Sequence, residues 1–229
     1  MKKELEYSEI LNKYITKLIQ VIVIIGFFIG IYEKNWLIIN VCFATFLLTF
    51  IPRILEKKYK IFFPGEFKIA FVLFTYAGLF LGGVRGYYER FWWWDSFLHL
   101  ISGITLGFFG FIIIYTFFRS KKIYPSPFLV LLFSFSFAMS LGVLWEIFEF
   151  GMDSAFDLDM QSARNLEEVY GYYDTRLGVI DTMVDLILNT IGAIISSILG
   201  YIYLKKGKVF LFSKLLERFK EKNKTLFNN

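Results

Sequence analysis

The sequence predicts an all-α fold, a polytopic membrane bundle of six transmembrane helices with the N- and C-termini both cytoplasmic. The first observation behind this is composition: of 229 residues, 56% are hydrophobic and 20% charged, with a mean hydropathy of +0.55, well above the apolar share of soluble domains. The second is that the excess gathers into six runs, each of about the length that crosses a hydrocarbon core of roughly 30 Å. The third is the placement of positive charge, which alternates between the segments joining those runs.

The runs are 18–32, 36–51, 67–83, 94–118, 126–150 and 178–204. The first follows MKKELEYSEILNKYITK with no small-residue cleavage site behind it, so it reads as a retained span. Glu33, Lys34 and Asn35 separate it from the second, a spacing that predicts an antiparallel helical hairpin. PRILEKKYKIFFPGEFK, with two prolines and alternating charge, reads as a loop or surface helix, and Pro125 and Pro127 mark the turn before the fifth run. Trp92, Trp93 and Trp94 read as an interfacial belt at the start of the fourth. Gly26/Gly30, Gly78/Gly82 and Gly103/Gly107 have the small-xxx-small spacing of closely packed helices. The chain reads as one integral membrane domain with a basic cytoplasmic tail over 205–229. In that tail Phe212, Leu215, Leu216 and Phe219 share a face, the pattern of an interfacial helix on anionic lipid.

Twenty of the 25 lysines and arginines lie in the N-terminal tail, the 52–68 and 119–125 loops and the C-terminal tail. The other five are Lys34, Arg85, Arg90, Arg164 and Arg176. This bias predicts a multi-pass protein of the prokaryotic cytoplasmic membrane and accounts for the net charge of +5 without nucleic acid as a partner. Cys42 is the single cysteine, which excludes an internal disulfide, a thiolate metal cluster and a Cys redox pair. There is no phosphate-cradling glycine loop, nucleophile elbow, H-E-x-x-H or dinucleotide fingerprint, so ATP-driven work is not indicated.

Ionisable residues inside spans are expensive and therefore informative. The fourth run opens WWWDSFLHLISG, with Asp95, His99 and Ser102 on one helix face. The fifth closes VLWEIFEF, with Glu146 and Glu149 three apart; Trp145 belongs to the interface or walls the site. The sixth opens GVIDTMVDLILNTIGA, where Asp181, Asp185, Asn189 and Gly192 form one stripe. With six spans, all three stripes lie at the extracytoplasmic end and can meet. Any one pair read alone, such as Glu146 with Glu149, fits interhelical hydrogen-bond glue as well as it fits a site. Five carboxylates and an imidazole at one depth instead demand either protonation or a cation.

A divalent ion, Mg, Mn, Fe or Zn, is the economical answer, with Asp95, His99, Glu146, Glu149, Asp181 and Asp185 as ligands. His99, Glu146 and Asp181 are the candidate catalytic groups, acting on a metal-polarised phosphoryl or ester group. Arg85, Arg90, Arg164 and Arg176, with Asn189, are candidates for holding substrate. The acids of the 151–178 loop (Asp153, Asp157, Asp159, Glu167, Glu168, Asp174) read as a solvated loop or a cation-attracting lid. The leading expectation is metal-dependent hydrolysis or transfer on a lipid or lipid-linked envelope substrate, with membrane lipids as partners. The alternatives are a cation or proton-coupled transporter, and a non-catalytic protein binding a lipid headgroup or an antibiotic.

WDSFLHLISG, WEIFEFGMD and DTMVDLILNTIGA, in that order over about residues 90–200, resemble the YjdF-like inner-membrane proteins of bacteria and archaea. More distantly, the E-x-x-E close of one span, a later arginine and the D-x-x-x-N-x-x-G start of the next (Asp185, Asn189, Gly192) are similar to the VanZ-like family associated with glycopeptide-antibiotic tolerance. VanZ-like proteins more often show glutamine where this chain has Glu149. The resemblances imply a membrane location and an envelope role, and supply no reaction.

Overall fold

A computed structural model describes residues 2–120, 123–156, 158–162, 171, 176–207 and 209–227. Its helices are α1 (Lys2–Tyr32), α2 (Trp36–Leu48), α3 (Ile51–Tyr59), α4 (Gly65–Thr75, continuing as a π-helix over Tyr76–Val84), α5 (Tyr87–Arg90), α6 (Trp94–Ser120), α7 (Pro127–Phe156), α8 (Leu177–Lys206), α9 (Phe210–Lys222) and α10 (Lys224–Phe227). Six stretches are long and apolar enough to span a membrane: Lys3–Tyr32, Trp36–Tyr59, Gly65–Val84, Trp94–Arg119, Pro127–Phe156 and Leu177–Lys206. Helix is the expected outcome, because a chain in hydrocarbon must satisfy every backbone N–H and C=O within the segment.

Boundaries differ from the apolar runs where helix outlasts hydrophobicity. α1 begins well before residue 18 and α7 runs six residues past 150, to Phe156. The segment read as a loop or surface helix divides: Ile51–Tyr59 is helical, with Pro52 in its first turn, and Lys60 ends it in the left-handed conformation at φ 57°. Pro127 sits at the start of α7, where its missing N–H costs nothing. Gly207 closes α8 at φ 74°, a conformation that favours glycine.

The chain forms two compact units, Met1–Trp94 with Lys214–Asn229, and Asp95–Ser213. In the first, α1 and α2 form the predicted hairpin. Asn35 caps α2 by accepting from Ile38 N–H at 3.2 Å, and its own N–H donates to Gly30 O at 2.9 Å. Gly30 faces Ile38 and Gly26 faces Cys42, while the Gln20 amide donates to Thr49 Oγ1 at 2.9 Å, so the pairing is antiparallel along the hairpin. Ile19, Val23, Cys42, Val72 and Phe80 form the core of this unit.

The C-terminal residues of the same unit correct the expectation of a lipid-bound amphipathic tail. Leu216 and Phe219 are buried in protein. Lys222 bonds Glu9 and donates to Phe63 O at 2.9 Å, Arg218 pairs with Glu66 and, at 3.2 Å, with Glu4, and Asn223 exchanges hydrogen bonds with the Phe62 backbone at 2.7 and 2.8 Å. Amphipathic periodicity records that one face is buried, and here the covering surface is protein.

In the second unit α6 and α8 run parallel and α7 runs antiparallel to both. The contacts are backbone-close: a Cβ at Gly103 would strike the Asn189 carbonyl, one at Gly107 the Ser196 hydroxyl, and one at Gly192 the Leu100 carbonyl. Gly110 rests on Ser134 and Phe137 of α7. Toward the far end, Phe108, Phe111, Tyr115, Tyr203 and Phe212 form an aromatic cluster, with Phe108 and Phe111 ring centres 4.6 and 4.7 Å from that of Phe212.

Gly103→Val is expected to destabilise the protein by about 1–3 kcal/mol, as overpacking does. Gly151→Ala, with nothing within 4 Å, leaves stability unchanged or slightly raised; thermal unfolding in detergent compares the two. Cys42, fully buried, should react with a water-soluble maleimide only as fast as the first unit opens, measured by mass shift against time.

Candidate metal centre

Three helix ends of the Asp95–Ser213 unit build the site. Asp95 and His99 are one turn apart in the first two turns of α6, Glu146 and Glu149 lie toward the C-terminal end of α7, and Asp181 and Asp185 occupy the first turns of α8. Because α7 opposes the other two, these positions share one end of the unit.

His99 is the hub. Its Nε2 lies 3.5 Å from Asp95 Oδ1 and 4.0 Å from Asp185 Oδ2, and its Nδ1 lies 3.6 Å from Glu146 Oε1. Asp95, His99 and Asp185 each offer a ligand atom within 4.8 Å of the others. Ligands about 2.1 Å from one ion stand about 3.4 Å apart at tetrahedral angles and about 4.2 Å apart when opposite in an octahedron, a range that contains the 3.5 and 4.0 Å spacings from His99 Nε2.

Burial is deep: His99 is 8% exposed, Glu146 and Glu149 are 5% and Asp185 is 2%. Both Glu146 oxygens, Glu149 Oε2, Asp181 Oδ2 and Asp185 Oδ2 are buried with no hydrogen-bond donor in bonding geometry. Orphaned buried carboxylate oxygens are costly and ask for an explanation. A proton or a cation supplies it.

The six expected ligands therefore separate by position. Asp95, His99 and Asp185 form the three-atom cluster. Glu146 stands on the side of the opposite ring nitrogen, 3.6 Å away, close to the ring but outside hydrogen-bond distance. Glu149 and Asp181 lie within electrostatic reach of Glu146 and Asp95 without joining that cluster. Glu149 Oε1 accepts from the Trp145 indole N–H at 2.8 Å, so this tryptophan wires a carboxylate, a link that its i,i+4 spacing foreshadows.

Asn189 is fully buried, and its amide joins three helices. Oδ1 accepts from Ser102 Oγ of α6 at 3.3 Å, and Nδ2 donates to Ala138 O of α7 at 3.4 Å. Those bonds give the amide, which the sequence offers as a candidate for holding substrate, a place in helix packing. Arg85 and Arg90 belong to the first unit, where Arg85 N–H donates to Phe80 O at 3.0 Å and Arg90 ends α5. Arg176 stands at the N-cap position of α8, without a side-chain capping bond. Arg164 lies outside the described residues, as do Asp157, Glu167, Glu168 and Asp174.

Asp153 shows what the loop acids do where they are described. Its carboxylate accepts from the Met160 and Gln161 N–H groups at 2.7 and 2.9 Å, and the Gln161 amide donates to Thr182 Oγ1 at 2.9 Å, beside Asp181. This fold-back over the start of α8 had no sequence signal beyond an aspartate near a span end.

Asn189→Leu is expected to lower stability by about 0.5–2 kcal/mol, the range for interhelical polar contacts in membranes. Unfolding by sodium dodecyl sulfate titration measures this, and Ser102→Ala in the Asn189→Leu background should add little, since the partner is already lost.

Residues 14–206 match the family described as "Predicted membrane protein (DUF2238)". An uncharacterized protein of Thermotoga maritima is 25% identical over 150 residues, covering 66% of this chain and 69% of that protein. No solved structure matches the chain. The family match takes in the first span from residue 14 onward, the other five apolar spans whole and every residue of the cluster, and the chain accordingly belongs to the DUF2238 family of predicted membrane proteins.

Proposed function

We propose that the protein holds a divalent metal at Asp95, His99 and Asp185 on the extracytoplasmic side of the membrane and there promotes hydrolysis or transfer on a lipid or lipid-linked envelope molecule. The observation that carries the reading is the ligand triad within 4.8 Å, surrounded by buried carboxylate oxygens that lack a donor. The donor set of two carboxylates and one imidazole accommodates Mg, Mn, Fe or Zn. Such an ion would polarise a phosphoryl or ester oxygen and acidify a bound water.

The chain's own residues divide the remaining work. Glu146, on the Nδ1 side of His99 at 3.6 Å, is the carboxylate placed to orient the ring once an ion is bound. Asp181 and Glu149, outside the triad, are the carboxylates available to move a proton. The sided distribution of lysine and arginine supports placing both termini in the cytoplasm and the site outside. The match over 14–206 supports the YjdF-like resemblance.

A cation or proton path across the membrane would need ionisable groups continuing toward the other end. Between the acidic end and the basic far end of this unit the described residues instead form the Phe108–Phe111–Tyr115–Tyr203–Phe212 cluster, with no carboxylate or histidine among them, which favours chemistry at one leaflet over transport.

Element analysis of purified protein in metal-replete buffer is expected to find about one divalent ion per chain, lost in Asp95→Asn/Asp185→Asn. Metal absent from the wild type overturns the reading. Glu146→Gln should retain the ion with affinity about 10–100-fold weaker, as for other carboxylates that orient a metal-bound histidine. For the orientation, Lys34→Cys in a Cys42→Ser background should be labelled by an impermeant maleimide from outside intact cells.

A further inference from the structure

We propose that the opposite end of the Asp95–Ser213 unit carries a second site, a pocket for the phosphate of an anionic lipid headgroup. A cavity of about 350 Å³ lies there, lined by Tyr115, Arg119, Tyr124, Pro125, Pro127 and Tyr203 among others. That volume is at the lower end of small-ligand pockets. It collects the last turn of α6, the first residue of α7 and the last turns of α8, the ends opposite to those that bear the acids.

The lining names the ligand's charge. Arg119 supplies a guanidinium and the three tyrosines supply phenols, while none of the lining residues is acidic. The guanidinium lies over the ring of Tyr124, itself 83% exposed, at 4.7 Å. The Tyr115 and Tyr203 rings are fixed from behind by Phe111, at 5.4 and 6.0 Å, and by each other at 6.4 Å. Lys205 and Lys206 stand in the last turn of α8 beside this end and add positive field. A guanidinium, two packed tyrosine rings and no carboxylate suit a phosphate monoanion.

Depth names the source. Arg119 is the last residue of the span Trp94–Arg119, and Tyr203 is three residues from the end of Leu177–Lys206. From His99 to Arg119 the helix rises about 30 Å at 1.5 Å per residue, the thickness of a hydrocarbon core. The cavity therefore opens where the headgroups of the leaflet opposite the acidic cluster lie, between span ends whose flanks are apolar and suit acyl chains.

The test is titration of the full-length protein in neutral detergent with phosphatidylglycerol, read by native mass spectrometry, with diacylglycerol and inorganic phosphate as separate arms. Wild type should bind phosphatidylglycerol, and Arg119→Gln should bind it at least about tenfold more weakly, the loss expected for one charge-assisted bond. Equal affinity in the two proteins overturns the proposal, as does equal binding of diacylglycerol, which lacks the phosphate. Arg119-dependent binding of inorganic phosphate that phosphatidylglycerol does not displace assigns the pocket to a soluble anion and overturns the lipid source. If Arg119→Gln does not fold, Arg119→Lys keeps the charge and removes the fork; a severalfold loss supports the proposal and unchanged affinity overturns it. The metal content of each variant stays at the wild-type level, which separates this site from the Asp95–His99–Asp185 cluster.

Discussion

The backbone-close contact of α6 with α8 is the interaction on which the site depends. In lipid, apolar side chains gain little by meeting one another, so helices associate through close fit and interhelical polar bonds. Gly103 and Gly107 on one helix and Gly192 on the other remove the side chains that would hold them apart. The parallel register that results sets Asp185 beside His99, where an additional turn of offset would separate them by about 5 Å. Asn189 then fastens α7 to the pair, and its neighbour Gly142 leaves room for the amide. A single stripe on α8 thus serves two ends: its lower part locks three helices, and its upper part carries the acids.

That arrangement gathers buried carboxylates at a cost the helices do not repay themselves. His99 is the partner that Asp95, Glu146 and Asp185 share among the described residues, and one imidazole cannot balance three carboxylates and leaves their outer oxygens bare. An unpartnered charge in a buried site is strongly destabilising, so an arrangement with several such oxygens calls for protonation of the carboxyls or for a cation. The ring is approached on both nitrogens by these acids, at 3.5 and 3.6 Å.

The first unit shows another use of polar residues near a membrane. Glu9 meets both Lys68, at 2.7 Å, and Lys222, while Lys68 also reaches Glu56 at 3.3 Å. The charges that the sequence spreads over an N-terminal tail, a proline-bounded loop and a C-terminal tail close into one network within this unit. The same lysines that report topology by their number thereby also fix the position of the C-terminal segment, which leaves its apolar face covered.

The sequence by itself determined the six helices and the three polar stripes. Hydrocarbon length and the 3.6-residue period are local properties, and a span that fails either cannot exist in a bilayer. It also determined that the stripes share an end, because span number fixes which helix termini coincide. Tertiary structure alone decided how the stripes divide: which ring nitrogen of His99 faces which acid, why Glu146 stands apart from Asp95 and Asp185, and why Asn189 is a fastening. It likewise decided that the C-terminal helix meets protein, and that Arg119 and the tyrosines near it, each unremarkable in its own run, line one cavity. The physical reason is that rotation and register between helices depend on contacts at glycines and buried amides distant in sequence, whereas a periodic pattern specifies only that a face is covered.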